Sequence, residues 1–263
     1  MRIGFSTWSY HVYAQQTGSR LSTDLIWAET ARVGFHGIEI SQDLRDLPPA
    51  EQCREQLAEH NLQAVSHWVT VTPDASCLGD AKEKAKFLQT IGGKFLVCEG
   101  DKQHPPTDRD SYLTYFERFE EIGQICDGHG IRAAFHFHRG CLEQQHEVDD
   151  LFDHTKSVWF CPDIGHAAAM GWDPLPTIRR YREKLVHVHI KDALCDEQTG
   201  KFIRFCELGN GNGGLDVKAC LDGLTELGYD GWAMVEQDHT TLSPSYDAIQ
   251  SRRFLEGIEY WCP

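Results

Sequence analysis

The stretch Leu185-Val186-His187-Val188-His189-Ile190-Lys191-Asp192 decides the fold. Side chains two apart on a strand share a face, so His187, His189 and Lys191 point one way and Val188 and Ile190 the other. The stretch lies between two helical patterns, residues 174–183 and 215–227. A short strand set between such helices is one βαβ unit of a parallel sheet. If the units close into a barrel, the ionisable face of this strand points into it.

The same rhythm runs outward in both directions. Short apolar strands are read at residues 2–7, 37–41, 62–68, 94–99, 131–138, 157–161, 185–190 and 232–236. Helices are read at 23–33, 48–60, 79–92, 108–129, 147–154, 174–183, 215–227 and 244–260. In the first helix Leu25, Ile26, Ala28, Ala31 and Val33 form the buried side and Gly34 the stop. The strands are apolar on both faces, as strands covered on both sides by helices should be. Eight strands, each followed by a helix, in a chain of 263 residues predict an α/β fold, a (β/α)8 TIM barrel forming a single domain over residues 1–263. No low-complexity segment or linker interrupts the alternation.

Charge narrows the partners. The chain has 25 Lys and Arg against 40 Asp and Glu, a formal charge of −15. That excess argues against nucleic acid and anionic membranes, both polyanions. No apolar run approaches the roughly 18 residues that cross a bilayer, and the N-terminus has no apolar signal-peptide region. The 10 Cys include no pair at C-x-x-C spacing, so neither a zinc ribbon nor a thioredoxin motif is present. Reduced thiols in a cytoplasm, most of them small core fillers, are the expectation.

In a barrel of this kind the chemistry belongs at the C-terminal ends of the strands. There the sequence places Glu39, His67, Glu99, His136 and His138, Asp163 and His166, His187, His189 and Lys191, and Glu236 and Asp238. Asp163, His189 and Glu236 converge from consecutive strands, and His136 or His138 would complete the ring. Two carboxylates with one or two imidazoles make a mixed oxygen and nitrogen site, suited to Mn²⁺, Co²⁺, Fe²⁺ or Zn²⁺ rather than Ca²⁺. Lys191, a cation without a lone pair, would stay near the substrate instead of binding the ion. The run Gly209-Asn210-Gly211-Asn212-Gly213-Gly214 contains G-x-G-x-x-G but follows a polar loop rather than a strand, so it reads as a loop entering a helix and not as a dinucleotide site. No G-x-S-x-G elbow is present. Trp8, Tyr10 and Trp172 are aromatics that could line the pocket or a homo-oligomer contact.

Several phrases carry a family resemblance: Cys161-Pro162-Asp163-Ile164-Gly165-His166, His187-Val188-His189-Ile190-Lys191-Asp192, Leu208-Gly209-Asn210-Gly211, Gly228-Tyr229-Asp230-Gly231-Trp232, Val235-Glu236-Gln237-Asp238, and with them Val97-Cys98-Glu99-Gly100 and His136-Phe137-His138-Arg139-Gly140. Together they resemble the xylose isomerase-like sugar isomerase/epimerase superfamily of TIM barrels, and within it the inosose dehydratases. The resemblance implies a divalent metal held by His136, Asp163, His189 and Glu236, with Mn²⁺ or Co²⁺ first and Zn²⁺, Fe²⁺ or Mg²⁺ as alternatives. The usual strand-five ligand of the superfamily is Glu; here His136 stands in its place with His138 beside it. The resemblance also implies catalytic roles for His166, Glu99 and Lys191 and substrate contacts for His67, His138 and Trp8. The substrate would be a small polyhydroxylated ketone and the reaction the dehydration of a keto-inositol, with isomerisation or epimerisation of a sugar or hydroxy-keto acid as the alternative. Apurinic-site endonucleases share the barrel, but they need more ligands and a basic face that −15 does not provide. A non-catalytic ligand-binding barrel is the remaining class.

Overall fold

In a computed structural model that describes residues 1–240 and 242–261, the chain forms eight parallel strands ringed by helices. Cys262, one of the 10 cysteines, lies outside the described residues. The chain runs β1 (Arg2–Ser6), α1 (Trp8–Thr17), α2 (Thr23–Val33), β2 (Gly37–Ile40), α3 (Ala50–Glu59), β3 (Gln63–Val71), α4 (Cys77–Ile91), β4 (Phe95–Gly100) and α5 (Arg109–Gly128). It continues through β5 (Arg132–His136), α6 (Gln145–His154), β6 (Val158–Cys161), α7 (Ile164–Ala169), α8 (Pro174–Arg180) and β7 (Val188–Ile190). A hairpin of β8 (Asp192–Cys195) and β9 (Phe202–Cys206) precedes α9 (Val217–Glu226), β10 (Trp232–Val235) and α10 (Pro244–Gly257).

The barrel strands follow the order β6-β5-β4-β3-β2-β1-β10-β7, with every neighbouring pair parallel. The ring closes between β6 and β7 through two isolated bridges, Phe160 with Leu185 and Asp163 with His189. This weaker seam is why β7 is shorter than the strand read at residues 185–190. All eight expected strands and their following helices are present, with boundaries moved by a few residues.

The interior is filled from the N-terminal end. Trp232, Met234, Val65 and Phe95 form one apolar patch, and Val97, Ala134, Cys161 and Val186 another. Gly37 makes room for this filling: a Cβ there would stand 2.3 Å from the Trp232 ring. A far larger cluster, including Trp27, Leu88, Phe119 and Leu255, cements the helices to the outside of the strands. Above the apolar plug the barrel interior turns polar, with Ser6, Glu39, Ser66, His187 and His189 buried at its C-terminal end.

Four elements, two helices and the two strands of a hairpin, went unread in the sequence. Helix α1 carries Trp8, Tyr10, Val12 and Tyr13 without a helical apolar stripe, so periodicity gives no signal. Helix α7 is only six residues long and begins directly at Asp163. Residues 192–207, read as a polar loop, instead form the antiparallel hairpin β8–β9. The glycine run anchors that hairpin. Asp192 Oδ2 accepts from the Gly209 and Gly211 backbone N–H groups at 2.9 and 3.1 Å, and its Oδ1 accepts from the Ala193 N–H at 2.8 Å. A Cβ on Gly211 would lie 1.8 Å from Asp192 Oδ1. The run is therefore a cradle for a carboxylate of the same chain. Among the described residues no helix is long and apolar enough to cross a membrane.

Candidate metal centre and active site

The site begins with a row across three strands. Ser6, Glu39 and Ser66 are register partners on β1, β2 and β3. Glu39 Oε1 accepts from Ser6 Oγ at 3.0 Å, and Oε2 accepts from Ser66 Oγ at 2.7 Å. Oε2 also meets His187 Nε2 at 3.2 Å and His189 Nε2 at 3.0 Å. Burial alone would raise the Glu39 carboxyl, but His189 and His187 outweigh it and hold the group well below the usual range. With Nε2 tied to this carboxylate, the His189 ring is fixed and its Nδ1 is turned to the barrel mouth. Burial opposes a charge on His189, yet the Glu39 and Glu236 carboxylates raise it well above an ordinary histidine.

Four donor atoms meet at that mouth. His189 Nδ1 lies 2.7 Å from Glu236 Oε2 and 4.0 Å from Asp163 Oδ2, and His136 Nε2 is also 4.0 Å from Asp163 Oδ2. One ligand atom from each of the four residues lies within 4.8 Å of the others. Asp163 is held by its second role: its Oδ1 accepts from the His166 backbone N–H at 2.9 Å and so caps α7. Its Oδ2 is left over. Asp163 Oδ2, His189 Nδ1 and Glu236 Oε2 are buried and none makes a hydrogen bond. Lys191 Nζ pairs with the two carboxylate oxygens at 3.2 and 3.0 Å from one side, and the two carboxylates and two imidazoles that converge on the other are the donor types of a transition-metal ion. Ligands on one Zn²⁺-sized ion, with bonds of about 2.1 Å, stand at most about 4.2 Å apart. The separations of 2.7, 4.0 and 4.0 Å fall within that reach, and with the donor set they fit a divalent ion. The Cys161 thiol lies 3.9 Å from His136 Nδ1, but burial raises it to about 11, so it is a protonated neighbour rather than a thiolate ligand.

Lys191 stands against this set, fully buried. Its Nζ lies 2.8 Å from Asp238 Oδ2, 3.0 Å from Glu236 Oε2, 3.2 Å from Asp163 Oδ2 and 3.0 Å from His166 Nε2. Burial disfavours its charge, but Asp163, Asp238 and Glu236 more than compensate and keep the ammonium protonated well above its usual range. His166 goes the other way. Burial and the Lys191 ammonium hold its imidazole neutral, well below the ordinary range. Its ring packs against His138 at 3.7 Å and Phe205 at 4.7 Å between centroids. Phe205 comes from β9, so the hairpin roofs this corner, with the Lys191 Nζ 5.1 Å from the Phe205 ring centre. Gly211→Ala is expected to lift the hairpin and lower kcat/KM about 10- to 100-fold with metal content unchanged, since an ångström of misplacement can cost that much.

Glu39, His136, His138, His166, His189, Phe205, Glu236 and Asp238 open on a cavity of about 790 Å³, also lined by Trp8, Trp68, Glu99 and Lys102. Trp8 meets Trp68 edge-on at 5.7 Å and forms one wall. Glu99 Oε2 pairs with Lys102 Nζ at 3.0 Å, and the same Nζ reaches His138 Nε2 at 3.0 Å. The structure therefore gathers His136, His189, Glu236, His166, Glu99, His138 and Trp8 around one space, with Asp163 and Lys191 buried just behind its wall. It does not bring His67 there. The pairing of β2 with β3 slips between Ile38 and Glu39, matching Ile38 to Ala64 but Glu39 to Ser66. The extra residue, Val65, turns Ser66 inward and His67 outward. The His67 ring packs edge-on against Phe87 of α4, and its Nδ1 accepts from the Trp68 N–H at 2.8 Å. Glu39 and Asp238 stood among the polar strand ends but were given no role. Glu39→Gln is expected to weaken metal affinity 10- to 100-fold in a chelator competition, the usual effect of removing a ligand's orienting partner; native affinity would contradict that orienting role.

A barrel whose mouth carries buried carboxylates, imidazoles and a lysine around one cavity is an enzyme scaffold. The chain belongs to the xylose isomerase-like TIM barrel family, whose model matches residues 27–258. It is similar to the inosose dehydratase of Geobacillus kaustophilus, 25% identical over 275 residues that cover 92% of this chain and 89% of that one. Among solved structures it is similar to an L-ribulose 3-epimerase, with a TM-score of 0.77, 17% identity and coverage of 98% and 94%. It is likewise similar to the IOLI protein with a binding zinc atom, with a TM-score of 0.78, 16% identity and full coverage of both chains.

Proposed function

We propose that the protein is a divalent-metal-dependent hydro-lyase that dehydrates a keto-inositol. The observation that carries this reading is the pairing of a neutral His166 with a charged Lys191, 3.0 Å apart, beside the four-residue donor set. Dehydration next to a carbonyl needs a base for the carbon-bound proton and an acid for the departing hydroxyl, on groups whose environments push their pKa values apart. The likeness to inosose dehydratase over nine-tenths of the chain supports the same reaction.

In this reading His136, Asp163, His189 and Glu236 hold the ion, which when bound would polarise the ketone oxygen and a neighbouring hydroxyl. The zinc named for the IOLI protein supports a metal at such a barrel mouth, and Mn²⁺ or Co²⁺ remain our first choices for this donor set. His166 takes the proton from the carbon beside the carbonyl. Lys191 donates to the leaving hydroxyl and takes back, across their 3.0 Å contact, the proton that His166 removed, while the Asp238 carboxylate holds the ammonium at 2.8 Å. Glu99 and His138 hold the hydroxyls at the far rim, and Trp8 covers the apolar face of the ring. The cavity lining carries Glu39, Glu99, Glu143, Glu236 and Asp238 against Lys102 and Arg139, an acidic balance that favours an uncharged polyol over a sugar phosphate. Nine described free cysteines, all but Cys195 buried, support a reducing cytoplasm.

The second reading is an isomerase or epimerase of a sugar or hydroxy-keto acid, which the likeness to the epimerase fold accommodates. Metal-loaded protein incubated with 2-keto-myo-inositol separates the two. Growth of enone absorbance is expected. Deuterium entering a ketose from D₂O with no enone would replace the dehydratase reading by the isomerase one.

A further inference from the structure

We propose that His138, His166 and Asp238 form a second cation-binding set beside the first, that the Lys191 ammonium is its resident cation, and that removing this one charge opens the set to a second divalent ion. The inference rests on the reading of His136, Asp163, His189 and Glu236 as ligands of the first ion.

One ligand atom from each of His138, His166 and Asp238 lies within 4.8 Å of the other two. Two imidazoles and a carboxylate are the donor types of a transition-metal site. The two sets adjoin, and Lys191 Nζ sits on their common edge. Two of its neighbours, Asp163 Oδ2 and Glu236 Oε2, belong to the first set; the other two, His166 Nε2 and Asp238 Oδ2, belong to the second. These are four acceptors around a group with three N–H bonds. The lysine therefore fills the position as a compact positive charge surrounded on several sides, as a small ion would be.

The protonation pattern of the second set suits an ion as well. Lys102 and Lys191 are donors only, so His138 Nε2 and His166 Nε2 each present a lone pair, at 3.0 Å from the respective ammonium. Metal-bound imidazole needs the same lone pair. Metal bonds of about 2.0–2.2 Å would require His166 Nε2 and Asp238 Oδ2 to draw in by a little under an ångström from their distances to Lys191 Nζ, with His138 Nε2 released from Lys102 to join them. Lys102 does not fix the set closed, because its side chain is 42% exposed and can turn to solvent. Lys191 does: it is 1% exposed and uses the lone pairs of His166 and Asp238 that a second ion would need. Its tether to β7 thus keeps the centre mononuclear.

Replacing Lys191 by Met keeps the length of the side chain and removes the charge. Metal-free protein titrated with Co²⁺, followed by visible absorption and counted by mass spectrometry, reads the outcome. The wild type is expected to bind one Co²⁺ per chain and the Lys191→Met protein two, a doubling that Asp238→Asn in the same background abolishes. Lys191→Gln, which keeps a hydrogen-bonding end, is the second variant should the first fail to fold. Two ions in the wild type, or one in the folded Lys191 variants, would overturn the proposal. No Co²⁺ in the wild type would instead remove the first centre, and the second with it.

Discussion

Replacing Asp163 by Ala is expected to abolish metal retention and lower kcat by about 10³ or more while leaving the barrel folded. Polarisation of a carbonyl by a bound ion is worth several kcal/mol, and each 1.36 kcal/mol is tenfold in rate. Asp163 is central to the donor set because it is fully buried, reaches both His136 and His189 at 4.0 Å, and is pinned by the His166 backbone N–H. The structural loss should be small by comparison. The variant forfeits the cap of α7, about 1 kcal/mol, which for a barrel of this size moves Tm by roughly 2–4 °C. Metal analysis, circular dichroism and the enone assay on one preparation separate the two effects. Full metal content in the Asp163→Ala protein would remove this residue from the site.

His166→Gln is expected to lower kcat by about 10²–10⁴, the usual contribution of a positioned base, with metal content unchanged. Gln can still accept from Lys191 and reach Asp238, so the ammonium stays where it is. The readout that distinguishes a base from a spacer is solvent-deuterium exchange into the unreacted ketone. A base-deficient enzyme should lose exchange and turnover together. An enzyme that keeps exchange but loses turnover would move His166 to the protonation of the leaving group.

Much of the architecture was legible because a buried parallel strand and its covering helix each leave a pattern of their own. Eight short apolar runs alternating with helices suffice to imply closure, and the order of strands agrees. What escaped was local. Helix α1 has no apolar stripe, and the hairpin β8–β9 is stabilised by a carboxylate in a glycine cradle that looked like a plain loop. The site was legible by residue type, since ionisable side chains at strand ends have little reason to cluster otherwise. The facing of one of them was not. Val65 adds a single residue to β3, and that slip sends His67 to the helix layer while bringing Ser66 to Glu39. The part played by Glu39 depends on the register of β1, β2 and β3 together, which no single segment reveals.

We propose that one divalent ion is held among His136, Asp163, His189 and Glu236. Crystals grown with Mn²⁺, measured for anomalous scattering, test it most directly. One strong peak is expected, bonded to His136 Nε2, Asp163 Oδ2, His189 Nδ1 and Glu236 Oε2, with Lys191 Nζ beside it. A peak elsewhere in the pocket, or none at these four atoms in crystals of active protein, would contradict it.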